Sequence, residues 1–124
     1  MMLPTARLYN SEGECLLNKV EIADTFAARL KGLLGRAGIE KDYGLLISPC
    51  SSIHMFFMKF PIDVFFLKAR RGVTGTVPVY EILRAARNVK PWRMALAPGG
   101  TDAVLETASG ALPSLPQGHS IKIQ

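Results

Sequence analysis

The chain has 124 residues, a formal net charge of +5 and 48% hydrophobic residues. This length fits one core, and we expect a single domain over residues 1–124. The composition argues against a disordered chain, and no apolar run approaches the length of a membrane span. The first residues, Met1 to Arg7, lack the pattern of a secretory signal, which predicts a cytoplasmic protein.

Two cysteines, Cys15 and Cys50, are too few for a disulfide framework. We expect both to be reduced and to be small residues in or near the core. The positive charge permits contact with phosphates or anionic lipids without requiring it. We interpret the densest basic stretch, residues 84–93, as a solvated basic face.

The first third of the chain predicts a β-hairpin followed by one helix. Strands over Thr5 to Tyr9 and Cys15 to Ile22 flank a turn at Asn10 to Gly13. Apolar residues at helical spacing then follow an N-cap residue and stop at Gly35. This pattern predicts a short amphipathic helix over about residues 24–34.

Short apolar runs separated by glycine and proline continue to the end of the chain. Pro61 cannot donate to a sheet and marks a break or an edge. Arg70 to Gly72 is a predicted turn. The predicted strands are Leu45 to Ile47, Ile53 to Lys59, Ile62 to Leu67, a weaker one around Val73, Val77 and Val79, Ala103 to Leu105, and Ser120 to Ile123. One helix and no βαβ rhythm predict a mainly β fold: a compact antiparallel β-sandwich or flattened barrel with the helix packed against it.

Five motifs occur in a fixed order: Arg29 to Arg36, Gly44 to Leu46, Ile53 to Leu67, Pro91 to Arg93, and Val104 to Gly110. This ordered set resembles the family catalogued as domain of unknown function 192 (DUF 192), over nearly the whole chain. The resemblance implies a mainly β sandwich or flattened barrel with a helix against it, and it implies no reaction. Two departures are Gly118-His119, where the family usually has Gly-Asp, and Ala108-Ser109-Gly110, where Pro-Ala-Gly is typical.

His54 and Met58 have side chains that suit copper. In a straight strand, however, four residues separate them by about 13 Å, too far for ligands of one ion, and His119 is the only other histidine. We therefore predict no metal and no cofactor. The same spacing separates Cys50 from His54 as nucleophile and base, unless the turn at Ser48-Pro49 brings them together.

Asp63 lies in a run that looks buried on both faces, where a carboxylate needs a partner. We hypothesise that Arg29 or backbone N–H groups near Pro61 hold it, either to fix the fold or to line a pocket. Glu106 could pair with Arg93 or Arg29. Trp92 could be a core plug or the aromatic wall of a groove.

These observations favour a non-catalytic accessory module that binds a small molecule or a peptide segment at a concave β surface. Its predicted pocket residues are Arg29, His54, Met58, Asp63, Trp92 and Glu106. The alternative is an enzyme that uses His54 with Asp63 or Glu106 for acid–base chemistry. Nucleic-acid binding through residues 84–93 is less favoured, because most aromatic residues lie in apolar runs. We expect no membrane partner, and a monomer or weak dimer.

Overall fold

The computed structural model describes residues 3–33, 35–50, 53–54, 59–70 and 79–124. The elements in chain order are β1 (Thr5–Asn10), β2 (Cys15–Ala23), α1 (Phe26–Lys31), β3 (Tyr43–Ile47), β4 (Ile53–His54), β5 (Ile62–Arg70), β6 (Val79–Val89), β7 (Met94–Ala95), β8 (Ala103–Ala108) and β9 (Ser120–Ile123). Within the described ranges, no helix is long and apolar enough to cross a membrane.

Seven strands form a closed barrel in the order β1-β2-β3-β8-β5-β6-β9, and β9 pairs back onto β1. The pairs are antiparallel except β2 with β3, which run parallel from Lys19 opposite Tyr43 to Ala23 opposite Ile47. The short strands β4 and β7 form a separate two-stranded sheet. The mainly β fold with one short helix is therefore confirmed, and of the two predicted architectures the structure has the barrel.

Two apolar cores lie on opposite faces of the barrel wall. The inner core draws on all seven barrel strands and includes Leu8, Leu17, Leu46, Phe65, Ile82, Leu105 and Ile121. The outer core covers β3, β8 and β5 and includes Leu33, Ile47, Ile62, Val64, Phe66 and Val104. Since adjacent strand residues point to opposite faces, a run such as Ile62 to Leu67 serves both cores at once.

The helix is shorter than predicted. Thr25 is its N-cap, with Oγ1 accepting from the N–H of Ala28 at 3.1 Å. It ends at Gly32, whose φ of 49° interrupts the helical path. Leu33 is buried, so its apolar character extended the helical pattern in the sequence although it packs after the helix has ended.

Strand β6 is the main element that the sequence pattern missed. It contains Arg84 and Arg87, the first part of the basic stretch 84–93, and it pairs with both β5 and β9. Of the predicted strand Ile53 to Lys59, the first two residues form β4, residues 55–58 lie outside the described part, and Lys59 is not in a strand. The predicted turn at residues 71–72 and the strand at Val73 and Val77 also lie outside it.

The two cysteines are not joined in a disulfide bond. Cys50 is half-buried and packs against the outer core, as predicted. Cys15 is exposed at the start of β2, so the predicted core position is wrong for it.

Candidate functional site

Glu106 is a buried carboxylic acid in the outer core. It lies on β8 between Leu45 of β3 and Val64 of β5, and only 3% of the residue is exposed. The alternation along β8 places it on the same face as Val104. An ionisable group thus occupies the middle of an apolar layer.

The end of the helix packs close to this carboxyl group. A Cβ atom on Gly32 would lie 4.0 Å from Oε1 of Glu106 and 4.0 Å from Cδ1 of Ile47. Gly32 has a φ of 49°, a backbone conformation that L side chains rarely adopt. The turn after α1 therefore brings the backbone of Gly32, which has no side chain, close to the carboxyl group of Glu106.

Burial raises the pKa of Glu106 from its ordinary value of 4.5 to about 8, because the charged form loses its hydration. No hydrogen bond joins its carboxyl group to any described residue. Among described side chains, no fully buried nitrogen or oxygen atom lacks a hydrogen-bond partner, so the Glu106 oxygens are not fully buried.

The carboxyl group of Asp63, in contrast, accepts three hydrogen bonds. It is 1% exposed and accepts from Nη1 of Arg87 at 2.8 Å, from the N–H of Asn88 at 2.7 Å and from the N–H of Gly110 at 2.9 Å. The predicted holders were Arg29 or backbone N–H groups near Pro61. The structure has Arg87 as the cation, and the backbone donors belong to Asn88 and Gly110. These bonds join β5 to β6 and to the loop after β8. This arrangement favours the hypothesis that Asp63 fixes the fold.

Asp63 and Glu106 do not share a site. Asp63 lies two residues before Phe65 on β5, so it faces the inner core as Phe65 does. Glu106 lies two residues after Val104 on β8, so it faces the outer core as Val104 does. The barrel wall separates the two carboxyl groups. The structure therefore does not bring these two predicted pocket residues together.

Arg29 contacts neither carboxyl group. Its Nη1 donates to the carbonyl of Pro49 at 3.0 Å, and its Nε donates to the carbonyl of Thr25 at 3.4 Å. It borders an open depression of about 530 Å³, lined also by Ser48, Pro49, Cys50, Ala69, Thr101 and Asp102. The predicted ion pairs of Glu106 with Arg29 or Arg93 are not present among the described residues.

The pairing of β4 with β7 sets His54 opposite Met94, two residues after Trp92. The structure thus brings two of the sequence motifs together. Trp92 is 61% exposed, so it is not a core plug. The side chain of His54 and all of Met58 lie outside the described part of the chain. Within that part, no cluster of three or more His, Cys, Asp or Glu could hold a metal ion.

A polar cluster on β2 and β3 was missed by sequence reasoning. The hydroxyl of Tyr43 donates to Oε1 of Glu21 at 2.6 Å, and Nη2 of Arg36 donates to the same oxygen at 3.1 Å. The hydrogen bond from Tyr43 lowers the pKa of Glu21, while burial raises the pKa of Tyr43. These groups line an open depression of about 530 Å³. Arg36 and Tyr43 lie 15 and 22 residues from Glu21 in the sequence, so no local sequence pattern predicts this cluster.

The fold has counterparts among solved structures. A protein of unknown function from Novosphingobium aromaticivorans DSM 12444 matches with a TM-score of 0.72 at 22% identity, covering 96% of this chain and 84% of that one. A proposed transcription regulator from Sinorhizobium meliloti 1021 matches with a TM-score of 0.72 at 20% identity, covering 99% and 96%. At these identities the likeness concerns the fold alone.

A UPF0127 protein from Thermococcus sibiricus (strain DSM 12597 / MM 739) is 36% identical over an aligned length of 111 residues, and the match covers 85% of this chain. The chain spans only 64% of the length of that relative. The family model DUF192, described as "Uncharacterized ACR, COG1430", matches residues 8–123, in agreement with the five motifs. The chain therefore belongs to the DUF192 family.

Proposed function

We propose that this protein is a non-catalytic module that binds a small ligand in the outer core, at Glu106. One observation carries the proposal: a carboxyl group that is 3% exposed has no hydrogen bond to the described residues. A carboxyl group in an apolar layer is costly to ionise unless it is paired. A ligand that pairs with it would offset that cost.

The surroundings of Glu106 define the chemistry of that ligand. Ile47, Val64 and Val104 make the environment apolar, and Glu106 contributes the polar group. A cationic amine with an aliphatic chain matches both features, because the ammonium group pairs with the carboxylate and the chain contacts the apolar residues. We therefore assign the ligand to the alkylammonium class.

The charge state of Glu106 predicts how the affinity for an alkylammonium ligand depends on pH. An ammonium ion binds the carboxylate and not the carboxylic acid, so below a pKa of about 8 binding must displace a proton. The apparent affinity then rises about tenfold per pH unit up to about pH 8. Burial alone accounts for the raised pKa of Glu106, with no contribution from a charged neighbour.

The test is a thermal-shift series with methyl- to hexylammonium chloride at pH 6 and pH 9. We expect the melting temperature to rise with chain length at pH 9, and less at pH 6. Glu106→Gln removes the charge and should abolish the effect, while the matched exposed variant Glu40→Gln should keep it. Equal shifts with the neutral alcohols of the same length, or in Glu106→Gln, would refute the proposal.

A second candidate function is an enzyme that uses Glu106 for acid–base chemistry. The raised pKa favours it, since general acids and bases work best near the ambient pH. Asp63 is the poorer candidate, because three donors already hold it. A binding module returns its ligand unchanged, so mass spectrometry of the amine after incubation with the wild type and Glu106→Gln separates the two functions.

The single domain over residues 1–124, the cytoplasmic location and the monomeric or weakly dimeric state stay predictions. Size-exclusion chromatography with light scattering tests the last of these.

A further inference from the structure

Residues 90–93 form a tight turn that leads into β7. The N–H of Arg93 donates to the carbonyl of Lys90 at 3.2 Å, and Trp92 has a φ of 67°. Proline at the second position and a positive φ at the third are the marks of a type II turn. The third position of such a turn normally holds glycine or asparagine, because a Cβ is disfavoured there.

Trp92 is therefore poorly matched to its position. A bulky residue at positive φ is strained, and such residues concentrate at functional sites. The strain is not offset by deep burial, since Trp92 remains 61% exposed. A strained and exposed aromatic residue is a candidate for contact with another molecule.

The neighbourhood of Trp92 is both apolar and basic. Leu96, on the other side of β7, is 67% exposed, and these two are the exposed large hydrophobic residues of the described part. No acidic residue occurs between Glu81 and Asp102. Arg84 and Arg93 are exposed, and Nη1 of Arg84 lies 3.3 Å from the carbonyl of Leu96.

The cations of this region are not neutralised by acids of the described residues. The ion pairs among the described residues join Arg36 to Glu21, Arg70 to Glu81 and Arg87 to Asp63. Arg87 is thus committed to the fold. Arg84, Lys90 and Arg93 retain their charge for an external partner.

We propose that one surface of the protein docks an acidic peptide segment of a partner protein, and that this segment carries an apolar side chain. The surface, called the Trp92 surface, consists of Trp92, Leu96, Arg84, Lys90 and Arg93. Tryptophan and arginine are the residues that most often dominate protein interfaces. Complementary charge guides the encounter and selects the partner. Leu96 favours a peptide over single-stranded nucleic acid, because bases stack on aromatic rings and an aliphatic side chain offers no such platform. This surface does not depend on a ligand at Glu106.

The test selects a displayed library of random 12-residue peptides on the wild-type protein. Enriched peptides should combine Asp or Glu with an apolar residue. Their affinity should fall at least about tenfold in Trp92→Gly and Arg93→Ala, and should hold in Lys41→Ala, a matched loss of an exposed charge elsewhere. Glycine suits the positive φ, and the circular dichroism spectrum of Trp92→Gly is compared with that of the wild type to separate a loss of binding from a loss of fold.

Trp92 is the only tryptophan, so its fluorescence reports directly on the surface. A selected peptide should shift the emission to shorter wavelength and protect the indole from iodide, and high salt should weaken both effects. The proposal is overturned by no enrichment, by peptides without negative charge, by equal binding to Trp92→Gly, or by tighter binding of a thymidine 20-mer than of any selected peptide.

Discussion

Arg87 lies against Asp63 with Nη1 of the guanidinium 2.8 Å from Oδ2 of the carboxylate. The same guanidinium donates to the carbonyls of Leu112 and Pro113, at 3.0 and 2.7 Å, and its central carbon lies 5.0 Å from the centre of the Phe65 ring. One side chain therefore joins β6 to β5 and to the loop after β8. The pair thus lies beside Phe65 and Leu112 of the inner core.

Asp63→Asn should destabilise the protein strongly. The substitution removes the negative charge from a site that holds a guanidinium and two N–H donors, so donors are left without a full set of acceptors. We expect a loss of about 3 kcal/mol or more in the free energy of unfolding, measured with urea.

A matched control for this variant is Arg70→Gln, which breaks the more exposed pair of Arg70 with Glu81. That change should cost no more than about 1 kcal/mol. Asp63→Asn should also retain the stabilisation by hexylammonium. Loss of that response in a folded Asp63→Asn protein would show that Asp63 belongs to the ligand site.

Gly44→Ala should destabilise the barrel. A Cβ atom on Gly44 would lie 2.9 Å from Cδ1 of Leu17 and 3.1 Å from Cδ1 of Leu105, and both leucines are fully buried. Since the inner core leaves little room for them to move, we expect a cost of about 1–3 kcal/mol. Gly99→Ala is the control, because a Cβ there meets nothing within 4 Å. Equal melting temperatures for the two variants would contradict this view of the packing.

The strands that sequence patterns predicted best are those with local signals. Cys15 to Ile22 and Ser120 to Ile123 alternate or end at clear turns, and the structure reproduces them within one residue. Strand β6 was missed because two irregularities in its pairing with β5 break the alternation, and because its cations look like a solvated face. Arg84, Lys90 and Arg93 are exposed, in keeping with that interpretation, whereas Arg87 pairs with Asp63.

The candidate site was predictable only in part. The unusual character of Asp63 was visible, because a carboxylate in an apolar run needs a partner. Its partner lies 24 residues away and depends on the β5–β6 register, which the sequence does not specify. The placement of Glu106 on the outer face also depends on the pairing of β8 with β3 and β5. No motif relates Gly32 to Glu106, because the closeness arises only when α1 packs on the barrel.

Trp92→Gly should be more stable than Trp92→Ala by about 1 kcal/mol. Both variants lack the indole ring, so the comparison isolates the backbone. Alanine at a φ of 67° carries the left-handed penalty, and glycine does not. Thermal unfolding followed by calorimetry measures the difference. Equal stability would mean that the turn relaxes to negative φ once the ring is removed.

Glu106 should make the protein less stable as the pH rises. Burial raises its pKa from 4.5 to about 8, so between these values the folded state binds a proton that the unfolded state has released. The free energy of unfolding then falls by about 1.4 kcal/mol per pH unit through this window and levels off above it. Urea unfolding of wild type and Glu106→Gln at pH 4, 6, 8 and 9.5 measures the slope.

The Glu106→Gln variant should match the wild type near pH 4 and exceed it increasingly up to about pH 8, because glutamine has no proton to lose. Glu40→Gln, at an exposed position, should follow the wild-type curve. A difference between Glu106→Gln and wild type that stays constant with pH would show that the carboxyl group ionises as freely in the folded protein as in the unfolded chain. Glu106 would then be hydrated, and the apolar ligand site built around it would lose its physical basis.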